Sequence, residues 1–179
     1  MDIKDYINKV NNLKNDLPNR LQNEVYPQVI ETTLNRFKTR IFIKGLDSNG
    51  NEIGSYSEKP ISVPKKAFVK KSSFAPSSKS GKTMGLKNGY KELKEVQGLK
   101  SEKVNLVYTG DLKESVTAQK KGTGYAVGFS DKNNSKKANQ LEQKYSKDIF
   151  QFSEDEKLKM TQNLATELRK IHKAFFYAR

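Results

Sequence analysis

No cysteine occurs anywhere in this sequence, which excludes disulfides, thiolate metal sites and cysteine nucleophiles. Histidine is nearly as scarce: His172 stands alone, removing most imidazole metal sites and His-based triads. No apolar run approaches the roughly 20 residues needed to span a bilayer, so a soluble chain without a membrane partner is expected. The opening Met1-Asp2-Ile3-Lys4-Asp5 lacks the basic stretch and apolar block of a secretory signal, and an intracellular setting fits. Arginine is confined to Arg20, Arg36, Arg40, Arg169 and Arg179. Arginine rather than lysine reads base edges and clamps phosphate bidentately, so any attraction to nucleic acid is expected to be non-specific.

What the chain has in excess is lysine. Its 179 residues carry a formal net charge of +14. Such a charge points to a polyanionic neighbour, nucleic acid first and an acidic protein surface second. A lysine-rich proteome that relies on lysine for solubility is the plainer account. The length suits a single domain over residues 1–179 with a core of its own.

Ile3, Ile7, Val10 and Leu13, with Tyr6 beside them, fall at helical spacing over 3–14. Asp16-Leu17-Pro18 reads as the cap and first turn of a longer helix built on Leu21, Val25, Ile30, Leu34, Phe37 and Ile41. Its stripe slips by one residue near Pro27, where a bend or break is expected. That helix could pack on a sheet or on a neighbouring subunit. Ile41-Phe42-Ile43, the Asp47-Ser48-Asn49-Gly50 turn and Ile53 to Tyr56 predict a β-hairpin. Tyr90, Leu93 and Val96 predict a short helix ended by Gly98. Ser135 can cap another, carrying Ala138, Leu141 and Tyr145, and 148–152 reads as a brief strand or extended link. Ser153 and Glu156 have capping-box spacing. The helix they open carries Leu158, Leu164, Leu168, Ile171 and Phe175 on one stripe, with acidic residues first and basic ones last.

The centre of the chain is 98–129. Leu106-Val107-Tyr108 runs into a Thr109-Gly110-Asp111-Leu112 turn, 113–119 leads out, and a Gly-Thr-Gly connection returns through Tyr125, Val127 and Phe129. Those three alternate with Ala126 and Gly128, the period-two pattern of a half-buried strand. The fold class is therefore α+β: a small antiparallel β-sheet packed by long N-terminal and C-terminal helices, with a long basic extended arm.

That arm occupies 57–91. Pro60, Pro64, Pro76, several serines and many lysines replace any apolar period there. Lys65, Lys66, Lys70, Lys71, Lys79, Lys82, Lys87 and Lys91 occur without an intervening acidic residue. A loop of this length is usually functional or disordered, and an arm ordered only on binding stands beside a solvated loop with no partner. Phe68 and Phe74, set among the lysines, could stack on bases or anchor the arm in a neighbouring protein; the second is favoured.

Gly81-Lys82-Thr83 resembles the end of a phosphate loop, but the glycine that motif needs five positions earlier is Pro76, which has no amide hydrogen. The carboxylate pairs Glu92/Glu95 and Glu154/Glu156 could do acid–base work, yet both fall on charge-rich helices where solvated pairing accounts for them. His172 reads as packed or exposed rather than catalytic.

Gly-Tyr-Lys-Glu-Leu-Lys-Glu-Val-Gln-Gly at 89–98, Lys103-Val104-Asn105-Leu106, and Thr109-Gly110-Asp111-Leu112 with Ser115 form a pattern that resembles neck proteins of tailed bacteriophages. Leu106, Thr109-Gly110, Leu112 and Ser115 look like the Leu-x-x-Thr-Gly-x-Leu-x-x-Ser signature of tail-completion and virion-morphogenesis proteins. Glu52-Ile53-Gly54-Ser55-Tyr56-Ser57 is similar to the phage set as well. The resemblance covers roughly 41–160 and implies a small sheet flanked by two terminal helices, with copies assembled into a ring at the head–tail junction around the DNA channel. It implies a virion protein assembled in the host cytoplasm, not an enzyme and without a cofactor. Its partners would be its own copies, adjacent portal, neck, tail or capsid proteins, and double-stranded DNA touched non-specifically. Residues 109–112 would set sheet geometry and take no part in chemistry. The alternative is a non-specific nucleic-acid-binding module whose arm wraps the duplex; a metal-dependent nuclease or other enzyme is the third reading.

Overall fold

The computed structural model describes residues 2–77 and 80–177; Lys79 lies outside the described residues. The fold is α+β, 57% helical, with two two-stranded antiparallel sheets and a long helix at each end of the chain. The chain gathers into two compact units.

Unit 1 takes the chain up to Phe37, Thr117–Gly128, and the chain from Phe152 onward. Helix α1 (Ile3–Arg20) is capped by Asp2, whose Oδ1 accepts from the Asp5 amide at 2.7 Å. It runs through Pro18 rather than restarting there. A π-helical turn over Leu21–Val25 then leads into α2 (Tyr26–Lys38). The wide turn inserts the extra residue that the slipped stripe announces, one turn before Pro27. The buried positions are accordingly Val25, Val29, Thr33 and Phe37, while Ile30 and Leu34 are only half-buried. Helix α6 (Glu154–Tyr177) opens on the expected capping box: the Glu156 amide donates to Ser153 Oγ at 3.2 Å, and the Ser153 amide to Glu156 Oε2 at 2.9 Å. Val25, Val29 and Ile171 form the core of this unit with Leu13, Leu17, Met160 and Leu164 around them. Strands β3 (Val116–Lys121) and β4 (Gly124–Phe129) make the expected hairpin, and Tyr125, Val127 and Phe129 are half-buried while Ala126 and Gly128 are exposed. Gln22 donates to the carbonyl of Thr123 at the tip, 2.8 Å away.

Unit 2 comprises Lys38–Val116 and Phe129–Gln151. Ile41-Phe42-Ile43 is helical, not a strand: a second π-helical turn, Thr39–Lys44, ends at Gly45 in the left-handed conformation (φ 69°). The Asp47 turn forms as expected, with Asp47 Oδ1 accepting from the Asn49 and Asn51 amides at 2.9 Å each, but the expected hairpin shrinks to one bridge, Leu46 with Glu52. Arg40 explains why a helix ends there. Its guanidinium donates to the carbonyls of Leu46 (3.1 Å), Ile149 (3.2 Å) and Gln151 (2.7 Å), fastening the chain on both sides. Arg40→Met should lower the unfolding free energy by about 3 kcal/mol, seen as a lower urea midpoint at unchanged slope. Arg40→Lys should recover only part of that, because a point charge cannot span three carbonyls as the planar fork does.

The described residues of the 57–91 stretch are packed into this unit. Strands β1 (Ile61–Pro64) and β2 (Thr83–Leu86) pair antiparallel with Ile61 opposite Leu86 and Val63 opposite Met84. Val63, Phe68, Leu86 and Leu93 form the core, with Phe74 packed against it. Helix α3 (Gly89–Val96) ends as expected at Gly98, whose amide donates to Glu95 at 2.8 Å. A short α4 (Asp111–Ser115) precedes β3. Asp131, not Ser135, caps α5 (Lys132–Tyr145), by accepting from the Asn134 amide at 2.9 Å.

Candidate functional site

Unit 2 carries a groove of about 520 Å³ between 106–112 and α5. Tyr56, Tyr90, Tyr108 and Tyr145 line it with Leu106, Leu112 and Leu141, and Lys137, Gln140 and Lys144 stand along the α5 wall. Tyr56 and Tyr90 have ring centroids 5.4 Å apart, Tyr90 and Tyr108 5.8 Å, tilted by 49° and 43°. Tilted pairs of this separation are favourable aromatic contacts.

Lys94 holds the floor. It sits on the inward face of α3, four residues after Tyr90, and its side chain is wholly buried. The ammonium donates to Tyr56 Oη (2.8 Å), Asn105 Oδ1 (2.8 Å) and the Val107 carbonyl (2.9 Å), and lies 4.4 Å from the centroid of the Tyr56 ring. Three acceptors satisfy its three protons. Burial pulls its pKa down to about 8, against a weaker upward pull from Glu102. Burial also pushes the phenols of Tyr56, Tyr90 and Tyr145 up.

Gln97 and Tyr108 tie this groove to the lysine-rich stretch. Gln97 Oε1 accepts from the Val69 (2.7 Å) and Lys70 (3.1 Å) amides. Its Nε2 donates to Tyr108 Oη, which in turn donates to the Ala67 carbonyl at 2.5 Å. Phe68 is consequently 1% exposed, edge-on to Phe74. Its burial withdraws it from base stacking and from any neighbour's groove, and Phe74 is half-buried. Lys65, Lys66, Lys70, Lys71, Lys82 and Lys87 are exposed, whereas Lys91 is half-buried and paired to Glu58 at 2.7 Å. Lys71 Nζ bonds back to the Lys65 and Lys66 carbonyls.

Thr109, Gly110, Asp111 and Leu112 lie on the groove wall. Gly110 takes φ 98° and the Asp111 amide donates to Thr109 Oγ1 at 3.4 Å. The carboxylates considered for acid–base work have structural partners. Glu92 accepts from the Asn88 amide, Glu95 from Ser101, Glu154 pairs with Lys157, and Glu156 completes its capping box. Gly81-Lys82-Thr83 leads into a strand, where a phosphate loop would lead into a helix. His172 is exposed, its ring 4.8 Å from that of Phe176.

Neither Lys94 nor the tyrosine groove is visible as a set in the sequence. The signal was the position of Lys94 beside the 90/93/96 stripe of α3, a lysine where the helix turns inward. No protein-family model, curated protein or solved structure matches the chain.

Proposed function

We propose that this chain is a structural protein of a tailed-phage virion, one copy of a homo-oligomeric ring in the head–tail connector around the DNA channel. The observation that carries this reading is the start of α1. Ile3, Tyr6, Ile7 and Val10, one stripe over about two turns, are 82, 51, 52 and 39% exposed. The Tyr6 ring lies 5.5 Å from Phe176 of α6. A contiguous apolar surface of this kind marks an interface, and a second copy is the partner always present. Contacts repeated from one copy to the next close into a ring where the rotation permits. Adjacent portal, neck, tail or capsid proteins would meet the ring's two faces. The exposed lysines from Lys65 to Lys87 would attract DNA without reading it.

Sedimentation velocity and negative-stain imaging of the purified chain test this. Closed rings that grow with concentration are expected, and Ile7→Asp with Val10→Asp should return them to monomers. A chain that stays monomeric at every concentration, or rings indifferent to those substitutions, would end the proposal. The second reading, a non-specific nucleic-acid-binding module, draws on the same acid-free lysine run. It predicts a small species whose affinity for duplex DNA falls linearly on a log–log plot against salt, with a shallower slope after Lys65→Glu and Lys66→Glu.

A further inference from the structure

The tyrosine groove is a built feature that ring assembly does not use. Leu106 on its wall adopts φ 53°, a left-handed conformation that costs a leucine about 1–2 kcal/mol. Backbone held this way by its surroundings is concentrated at binding and switch sites. The adjoining main chain is open: among the described residues the amides of Tyr108, Thr109 and Gly110 donate no hydrogen bond. Across the groove, Lys137, Gln140 and Lys144 stand on one face of α5 at i, i+3 and i+7. Both lysines are exposed, and among the described residues neither forms an ion pair.

We propose that this groove binds an extended acidic segment of a partner protein. An extended chain crossing the 108–110 bend finds free amides for its own carbonyls. Alternate side chains then point either to the tyrosine and leucine floor or outward, and carboxylates on the α5 side meet Lys137 and Lys144. Charge complementarity selects an acidic occupant, because the lining sets Lys137 and Lys144 against the single carboxylate of Asp111 and the chain as a whole carries +14. Single-stranded nucleic acid fits less well. Stacking needs open ring faces, whereas Tyr56 is buried and Tyr56, Tyr90 and Tyr108 are tilted onto one another. This inference is independent of the ring, since the groove lies wholly within unit 2 of a single copy.

Selecting a displayed random dodecapeptide library on the full chain, then measuring the enriched peptides by fluorescence polarisation, tests it. The expected winners alternate Asp or Glu with apolar residues. Their affinity should fall roughly tenfold or more in Lys137→Glu/Lys144→Glu, two exposed positions whose reversal leaves the fold in place, as circular dichroism would verify. A second variant, Lys65→Glu/Lys66→Glu, changes net charge equally and should bind them as the parent does. The proposal is overturned by winners that are not acidic, by no enrichment, or by equal losses in both variants, which would mean generic attraction to a basic protein. It is also overturned if a labelled thymidine oligomer binds more tightly than the peptides and is lost in the Lys137/Lys144 variant.

Discussion

Lys94→Ala should lower the unfolding free energy by about 4 kcal/mol, the largest loss from any single lysine in the chain. Truncation leaves a cavity under the Tyr56 ring and strips the Val107 carbonyl of its ammonium partner. Asn105 Oδ1 fares better, since Tyr56 Oη and the Val107 amide still donate to it. Lys94→Met, which fills the volume without the charge, should cost only about 1–2 kcal/mol. The two substitutions therefore separate packing from hydrogen bonding. A pH series separates charge from both. In the folded chain the ammonium is held down to about 8, while the unfolded lysine stays near 10.5. Between those values the unfolded chain binds one more proton, so stability rises with pH through that window. The penalty for burying the charge is fully present below about pH 8. The climb should amount to about 2 kcal/mol by pH 10, in urea midpoints taken at constant ionic strength. Above pH 10 the raised phenols of Tyr56, Tyr90 and Tyr145 act in the opposite sense, because a folded state that holds its protons longer loses stability as pH rises. Lys94→Met should flatten most of the climb below pH 10. A parent chain already flat between pH 8 and 10 would mean that Lys94 is not buried as a charged group.

The features legible in the sequence are those whose causes lie within a few residues. The Ser153/Glu156 capping box, the Asp47 turn, the glycine stop at Gly98 and the alternation through Tyr125, Val127 and Phe129 each depend on neighbours in the chain. Ile41-Phe42-Ile43 misleads for the same reason: three apolar residues, two of them β-branched, favour a strand, while the contacts that fasten this helix end, Arg40 to Ile149 and Gln151, come from over a hundred residues away. Asp16-Leu17-Pro18 suits a cap and first turn, where proline's missing amide goes unneeded, yet the helix runs on through Pro18. In the lysine-rich stretch Lys65, Lys66, Lys70, Lys71, Lys82 and Lys87 are exposed, while Lys91 is half-buried against Glu58. Composition does not show that Phe68 turns inward, because that depends on Gln97 and Tyr108, about thirty to forty residues further along. Lys94 was hidden by its type. Lysine is almost never fully buried unless it is paired, and its partners, Tyr56 and the 105–107 segment, lie well away in the chain on either side.

Gly89→Ala should be nearly as damaging as Lys94→Ala, at about 4 kcal/mol, and for a reason unrelated to charge. Gly89 begins α3 at φ 59°, where an alanine is strained by about 1–2 kcal/mol before any contact is considered. The rest comes from crowding. The amides of Tyr90 and Lys91 both donate to the Ser57 carbonyl, at 2.9 and 3.3 Å, which brings 57–59 directly over the start of the helix. An added Cβ would lie 2.7 Å from that oxygen and closer still to the Lys59 carbonyl. Neither is the far end of a flexible side chain, so backbone would have to move and the two amides would lose their acceptor. Gly50→Ala supplies the comparison, since Gly50 takes φ 82° with nothing within 4 Å of the new methyl; it should cost only about 1 kcal/mol. Urea midpoints on both variants measure the difference. If they fall equally, close approach adds nothing at Gly89. If Gly89→Ala falls much further, the same displacement should reach Lys94, one helical turn on, and the acidic peptides bound by the parent chain should be lost with it even where the variant remains folded. Gly50→Ala should bind them undiminished.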